Sequence, residues 1–256
     1  MKIGIDVGGT FTDFLLIDQE KSEIYKVLTT PADPSIGLMN GLKEMAKVRN
    51  LPLEEFIKKI ETIVHGTTVT TNAVLTYTGA KTGMLTTKGL RDALEMRRGI
   101  REEQYNNKYS NVTPLVPRYL RYPIEERLDY KGDVIKPIKK TDIFNAIKLF
   151  KKEKIESIAI CFMNSFANKN HEEIAANLIK EEFPEIYLTI SNKLLPSIRF
   201  YDRISTTVLN SYVGPILRSY LLSLTSKLKQ TGFKGILLIM QSNGGVISPE
   251  IATNMA

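Results

Sequence analysis

Cysteine occurs once in the 256 residues, histidine twice and tryptophan not at all. A single thiol, Cys161, excludes an internal disulfide and a Cys-cluster metal site, and two histidines as distant as His65 and His171 do not make a zinc site. Long apolar runs are also missing. The longest, such as Ile158–Phe162 and Ile236–Met240, fall far short of the roughly 20 residues that cross a bilayer. The opening Met1-Lys2-Ile3-Gly4-Ile5-Asp6 lacks the apolar stretch of a secretory signal, so a soluble, cytoplasmic protein without membrane association is expected. Proline and glycine number 11 and 16 and are dispersed, which rules out collagen-like or low-complexity chains. No run of five like charges, zinc-finger spacing or aromatic RNP-like strand accompanies the net charge of +7. The lysines are instead interleaved with acids, as in Lys151-Lys152-Glu153-Lys154, so nucleic acid is not an expected partner. What is present is an ordinary apolar share, 43%, enough for the core of one or two domains.

Apolar and β-branched segments alternate with helical periodicity. Lys2–Val7 and Phe14–Ile17 read as buried strands separated by Gly8-Gly9-Thr10, and Ile36–Val48 as a helix. A short strand, Ile63–Val64, runs into His65-Gly66-Thr67-Thr68 and a helix over Thr70–Leu75. Strand Lys81–Thr86 and helix Leu90–Arg97 follow. The stretch from Gly99 to Ile138 is rich in Tyr, Asn, Arg and Pro, weakly periodic, and holds the turn Tyr130-Lys131-Gly132-Asp133, so a small inserted module is expected there. Beyond it come a helix over Asp142–Lys151 capped by Thr141, a strand over Ile155–Phe162, and a helix opened by Asn170 and Glu173 as a capping box. Strand Ile186–Ile190, a long helix Arg199–Leu228 bent or broken at Gly214-Pro215, and strand Gly235–Met240 complete the pattern. Strands alternating with helices predict an α/β fold, and the opening hairpin makes the sheet mixed.

The most informative stretch is Ile3-Gly4-Ile5-Asp6-Val7-Gly8-Gly9-Thr10-Phe11-Thr12-Asp13-Phe14. It lacks the Gly-Lys-Ser/Thr of a Walker loop, and a strand rather than a helix follows the glycines, which excludes a Rossmann fingerprint. Glycines without Cβ atoms let backbone N–H groups close on an anion, and Thr10 and Thr12 add hydroxyl donors. A carboxylate at Asp6 beside phosphate makes sense chiefly with Mg²⁺ between them. The plain alternative is a tight hairpin turn capped by Asp6.

This opening, together with Val64-His65-Gly66-Thr67-Thr68-Val69-Thr70-Thr71-Asn72-Ala73, Thr82–Asp92, Ser205–Val213 and Met240-Gln241-Ser242-Asn243-Gly244-Gly245, resembles the hydantoinase A and 5-oxoprolinase proteins. These are ATP-dependent members of the actin, sugar kinase and Hsp70 superfamily. The resemblance implies a ribonuclease-H-like mixed sheet, the N-terminal half of an actin-like ATPase, with a small insertion. It divides the chain into an N-terminal domain over 1–190, with the insertion at about 99–138, and the start of a hydantoinase A domain over 191–256. It further implies ATP and Mg²⁺ as cofactors, with Gly8, Gly9, Thr10 and Thr12 on the phosphates and Asp6 on the metal. The activity implied is phosphorylation of a lactam or imide carbonyl oxygen for ring-opening hydrolysis of a small cyclic amide. The partner would be a hydantoinase B-like subunit or the C-terminal half of the same enzyme, in an oligomer. Family members continue for several hundred residues beyond the Gly244-Gly245 segment, and that continuation carries the second phosphate hairpin and the adenosine pocket. On this chain ATP therefore has at most half a site. Alternatives are the ATP-using subunit of an acetone- or acetophenone-type carboxylase, or an inactive binding and assembly module.

Further candidates carry two readings each. Thr67 and Thr68, with Asn72 at i, i+4 from Thr68, sit at a helix start suited to an anion or a developing oxyanion, or are plain N-caps. His65 is a general base or orienting group, or a hydrogen-bonded core histidine. Asp92, next to Arg91, is a base or metal-water ligand, or half of a surface ion pair. Arg97-Arg98 forms a substrate anion site or a solvated basic face. Thr206 and Asn210, with Tyr201, Asp202 and Arg203 preceding them, line a cleft or are polar packing. Asn243, Gly244 and Gly245 follow the last strand at its C-terminal end, where ligands bind in α/β sheets. Cys161 is expected to be buried and inert, and His171 to be solvated.

Overall fold

The structure is a computed structural model and describes residues 1–30, 32–100 and 102–255; residues 101 and 256 of the stretches 99–138 and 191–256 lie outside it. The chain forms two compact units, residues 1–78 with 216–256 and residues 79–215.

In the first unit the strands are β1 (Lys2–Val7), β2 (Phe11–Asp18) and β3 (Lys21–Leu28), followed by helices α1 (Pro34–Val48) and α2 (Leu53–Lys58), strand β4 (Thr62–Thr67) and helix α3 (Val69–Leu75). In the second come β5 (Thr82–Thr87), α4 (Ala93–Met96), a 3₁₀ turn at Arg118–Leu120, β6 (Arg121–Ile124), β7 (Arg127–Leu128) and β8 (Val134–Lys136). It continues through α5 (Lys140–Lys152), β9 (Ser157–Cys161), α6 (Asn170–Glu182), β10 (Tyr187–Ile190) and α7 (Ser191–Leu194). The long helix α8 (Phe200–Gln230) contributes to both units, and β11 (Ile236–Met240), β12 (Val246–Ile247) and α9 (Pro249–Ala252) return to the first.

The first unit is built on a six-stranded sheet of order β12-β11-β4-β1-β2-β3. β1 runs antiparallel to β2 and parallel to β4, and β4 runs parallel to β11, so the sheet is mixed as expected. Alternation along β1 and β2 puts Ile3, Ile5, Val7, Phe14 and Leu16 on one face, where α1, α2, the second half of α8 and Ala252 of α9 close over them. Each fully buried Phe or Leu in this cluster contributes about 1.5–3 kcal/mol relative to exposure. The approach of α1 to the sheet requires a residue without a side chain. A Cβ at Gly41 would lie 2.1 Å from Cζ of Phe14. Asp33 caps α1, accepting from the backbone N–H of Ser35 at 3.0 Å, with Pro34 at the first helical position.

The second unit holds a four-stranded, all-parallel sheet of order β10-β9-β5-β6, and β9 is buried throughout, as parallel strands are. The stretch 99–138 behaves differently from a separate module. Its first part up to the 3₁₀ turn carries no strand or helix among the described residues, but β6 joins the sheet through Met84↔Arg121 and its neighbours. Val116, Leu120 and Ile124 are fully buried in the same core as β5 and β9. The turn at Tyr130-Lys131-Gly132-Asp133 does close a hairpin, β7–β8, with Gly132 at φ +93°.

Several local expectations need correction. α5 begins at Lys140 behind Lys139, with no side-chain cap from Thr141, and Asn170 is already the first residue of α6, so the capping box does not form. α8 continues through Pro215 as one helix, so it is not broken at Gly214-Pro215. Strand β3 and helix α2 have no counterpart in the sequence reading.

Replacing Gly41 by Ala is expected to destabilise the protein by about 1–3 kcal/mol, because overpacking against the Phe14 ring outweighs the gain of about 1 kcal/mol in helix propensity. Denaturant unfolding of Gly41→Ala, Phe14→Leu and the double variant tests this. The double variant should lose less than the two singles together, and strict additivity would show that Phe14 is not the obstacle.

Candidate functional site

Because β1, β4 and β11 are parallel, their C-terminal ends share one rim, and three glycine-bearing segments of the first unit emerge there. The Gly8-Gly9-Thr10 turn joins β1 to β2, closed by a bond from the Gly8 N–H to the Phe11 carbonyl at 3.0 Å. The turn is half-buried to exposed, with Gly9 and Thr10 in solvent. Asp6, one residue before Val7 closes β1, is exposed on the face opposite Ile5 and Val7. Its register partners are Gly66 on β4 and Asp13 on β2. A Cβ at Gly66 would stand 3.4 Å from Asp6 Oδ1, so the bare glycine leaves room beside the carboxylate. Asp13 is held by Lys26 at 3.1 Å.

The start of α3 meets the same turn. The Thr68 N–H and hydroxyl both donate to the Val7 carbonyl, at 3.2 and 3.3 Å. Asn72 Nδ2 donates to Thr68 Oγ1 at 3.3 Å, the i, i+4 pairing that the spacing predicts, and a Cβ at Gly9 would sit 3.6 Å from that amide. Thr67 Oγ1 accepts from the Val69 N–H at 3.2 Å, which satisfies one of the first donors of the helix. On the third segment, Gln241–Gly245 forms the hairpin turn between β11 and β12. The Gly245 N–H donates to Asn243 Oδ1 at 2.8 Å, and Gly244 takes φ +83°, which favours glycine. Asp6, Gly8, Gly9, Thr10, Thr67, Thr68, Asn72, Asn243, Gly244 and Gly245 thus collect at one end of one sheet.

Two predicted site residues of the same unit, Thr12 and His65, do not join them. Thr12 is fully buried, sharing its hydroxyl with that of Thr29 at 2.9 Å, and Thr29 in turn donates to the Gly8 carbonyl at 2.9 Å. It braces the turn from beneath rather than meeting a ligand. His65 is fully buried on the core face of β4, with Nε2 2.7 Å from the Tyr220 hydroxyl. Burial pushes its pKa down to about 4, against a weaker opposing effect of the Ile5 carbonyl, and burial pushes the Tyr220 phenol up. A buried imidazole hydrogen-bonded to a buried phenol forms a core pair away from the rim's solvent. Asp92 belongs to the second unit, in a bidentate ion pair with Arg118 at 2.9 and 3.1 Å. Arg118 holds its carboxyl below the ordinary aspartate range, so it is not poised to take a proton near neutrality.

In the second unit several further candidates are engaged by neighbours. Arg97 and Arg98 are engaged by Glu102 and Asp202 at 2.5 and 2.6 Å. Asn210 is buried and donates to Thr189 Oγ1 at 3.0 Å, which is polar packing. Cys161 is fully buried, and its thiol is pushed up to about 12 by burial. His171 is not solvated: it is buried 2.7 Å from Glu126, whose other oxygen accepts from Thr87.

Sequence reasoning missed Thr29 and Tyr220, the two residues that secure the rim from below. Thr29 follows the unrecognised strand β3, and Tyr220 gives no local signal within a long helix. Among the described residues, no three His, Cys, Asp or Glu side chains converge on a metal position, and no helix is long and apolar enough to cross a membrane.

The sequence profile of the hydantoinase/oxoprolinase N-terminal region matches residues 2–183, and that of the hydantoinase/oxoprolinase domain matches residues 203–256. The chain belongs to the hydantoinase/oxoprolinase family. Within it, the caprolactamase subunit alpha of Pseudomonas jessenii is 35% identical over 96% of this chain. A crystal structure of the ATP-dependent caprolactamase from that organism superposes with a TM-score of 0.90 at 34% identity, covering 97% of this chain and 36% of that one. A nucleotide-free acetone carboxylase structure gives 0.85 at 26% identity, covering 99% and 38%. The mixed α/β fold is therefore that of these relatives, and this chain spans little more than a third of the length of each.

The His65–Tyr220 pair sets a pH dependence of stability for this family member. The unfolded imidazole, near 6.5, binds a proton that the folded one refuses until about pH 4, so acid favours unfolding within that window. Stability should fall by up to about 3 kcal/mol between pH 6.5 and 4 from this group alone. Urea midpoints measured across that range should show a shallower decline in His65→Gln, and superimposable profiles would remove the pair from the explanation.

Proposed function

We propose that this chain is the nucleotide-handling N-terminal part of an ATP-dependent hydantoinase/oxoprolinase-type subunit that activates the carbonyl oxygen of a lactam or imide for ring-opening hydrolysis. The observation that carries the reading is the exposed carboxylate of Asp6 on the rim that also presents the Gly8-Gly9-Thr10 turn and the start of α3. The rim fits the cofactor in two respects. Glycines at 9 and 66 leave the backbone and the carboxylate open to approach, and a lone carboxylate suits hydrated Mg²⁺, which keeps most of its waters and is otherwise held by phosphate. Bound Mg·ATP would supply the transferable phosphoryl group, a reaction in which the protein chiefly positions and neutralises charge.

The roles of this chain's own groups follow. Backbone N–H groups of Gly9 and Thr10 and the Thr10 hydroxyl would face phosphate oxygens, and Asp6 would hold the hydrated metal. Thr68 and Asn72 would bound the turn on the α3 side, and Asn243, Gly244 and Gly245 would bound the rim beyond β4. Thr12 and His65 act as positioning residues only. In the same reading the sheet order β3-β2-β1-β4-β11, with β2 alone reversed, supports the ribonuclease-H-like core of the actin, sugar kinase and Hsp70 superfamily. The matched ranges 2–183 and 203–256 support a family-level division near residue 190, distinct from the compact units. A cytoplasmic location, an oligomeric state, and a partner that is a hydantoinase B-like subunit or the remaining part of the enzyme complete the proposal. The "subunit alpha" of the caprolactamase supports a multi-subunit setting.

The similarity to acetone carboxylase favours a second reading, in which the activated oxygen belongs to a ketone enolate or bicarbonate. ATP hydrolysis stimulated by lactams and imides, against ketones with bicarbonate, separates the two.

In the complete assembly, Asp6→Ala should lower substrate-stimulated ATP hydrolysis by about 10²-fold or more, with circular dichroism and melting temperature unchanged. Wild-type turnover in that variant would end the assignment.

A further inference from the structure

The helices that share the core of the first unit pack on one face of its six-stranded sheet. The other face carries Phe11, Leu15 and Ile17 on β2, paired with Leu28, Ile24 and Ser22 on β3. Strand alternation puts these side chains together, and Ile24 and Leu28 are 81% and 68% exposed. Leu15 faces Gly4 across the β1–β2 register, so the apolar surface continues toward the sheet centre. On the β2–β3 part of this face Lys26 bonds Asp13 at 3.1 Å and lies 4.9 Å over the Phe11 ring, and the exposed Lys2 and Asp6 stand on the same face of β1. Contiguous exposed apolar surface of this kind marks an interaction site, and a sheet containing a parallel core is normally buried on both faces.

We infer that this face is the seat of the remaining two-thirds of the subunit, a polypeptide that lays an apolar layer across β2 and β3. The length comparison supplies that occupant. The solved caprolactamase chain repeats this fold at a TM-score of 0.90 over only 36% of its length, and the rest of that polypeptide lies beyond the matched part. A Lys26–Asp13 pair with aliphatic side chains around it on β2 and β3 asks for apolar contact there rather than a charged partner. The inference rests on the proposed cooperation between this chain and the rest of the enzyme, and its test reads coverage rather than turnover, so the two can fail separately.

The native thiol, Cys161, is buried and its pKa is pushed up to about 12, which leaves a silent background for thiol labelling. Ile24→Cys and, as a control on α1, Val48→Cys are to be alkylated in the isolated chain and in a chimera where this chain replaces the matching part of caprolactamase subunit alpha. The Ile24→Cys thiol should react at least ten-fold more slowly in the chimera, with Val48→Cys unchanged. Equal rates at Ile24→Cys overturn the inference. So does protection already present in the isolated chain together with a dimeric mass in sedimentation, which assigns the face to a second copy. Should the chimera fail to fold, the isolated chain decides. It should bind an apolar-surface dye such as anilinonaphthalene sulfonate, and Ile24→Lys/Leu28→Lys should lose most of that signal at an unchanged melting temperature. Dye binding that is absent, or unaltered in the double variant, overturns the open face on which the inference stands.

Discussion

The pleat parity of β1 is the constraint on which the rim depends. Ile3, Ile5 and Val7 are at most 4% exposed, while Asp6 between two of them is exposed. A slip of one residue would bury the carboxylate and turn three apolar side chains outward, so the hydrophobic face fixes the chemical one. β1 lies between β2 and β4, and its lock is therefore passed to both neighbours: to β2 through Asp6↔Asp13 and to β4 through Asp6↔Gly66. The position of the carboxylate, the space beside it and the departure of the glycine turn are three consequences of one alternation.

Holding that turn still is a separate problem, because a loop of small residues has little of its own to pack. The solution lies beneath it. Thr12 and Thr29 share a buried hydrogen bond, and Thr29 also reaches the Gly8 carbonyl. On the next strand, His65 and Tyr220 pair one residue before Gly66. Leaving such buried groups without partners costs about 1–3 kcal/mol each, so the pairs specify one arrangement of the strand ends. Groups that resemble catalytic side chains by type thus serve to hold a rigid element under an open rim, the arrangement that precise positioning demands.

Much of this was legible in the sequence, and the failures have identifiable causes. The α/β alternation, β1, the glycine turn and the Thr68–Asn72 pairing follow from local pattern. Strand β3 escaped because its apolar residues, Ile24 and Leu28, face away from the core of its own unit, and its remaining positions are mostly polar. The inward orientation of Thr12 and His65 was available from parity: Thr12 is two residues from the inward-facing Phe14, and His65 two residues from Ile63. Nothing local could reveal His171, whose partner Glu126 lies 45 residues away. The same holds for Arg121, a guanidinium buried in β6 because Glu95 and the Val116 carbonyl meet it.

How each acid is used separates structural charge from chemical charge. In the second unit Glu172 is buried and burial raises its pKa, yet it accepts from the Phe162 and Asn192 N–H groups, the Ser191 hydroxyl and the Asn192 amide. Glu126 is consumed by Thr87 and His171, and Asp92 by Arg118. Asp13, beside the rim, is consumed by Lys26. Each has its charge answered by a neighbour, so an added cation would have to displace a bond already made. Asp6 has no such neighbour among the described residues across the strand, since the position facing it on β4 is a glycine. A carboxylate kept in solvent by strand parity and left without a counter-charge by Gly66 is the group at this rim with coordination to spare.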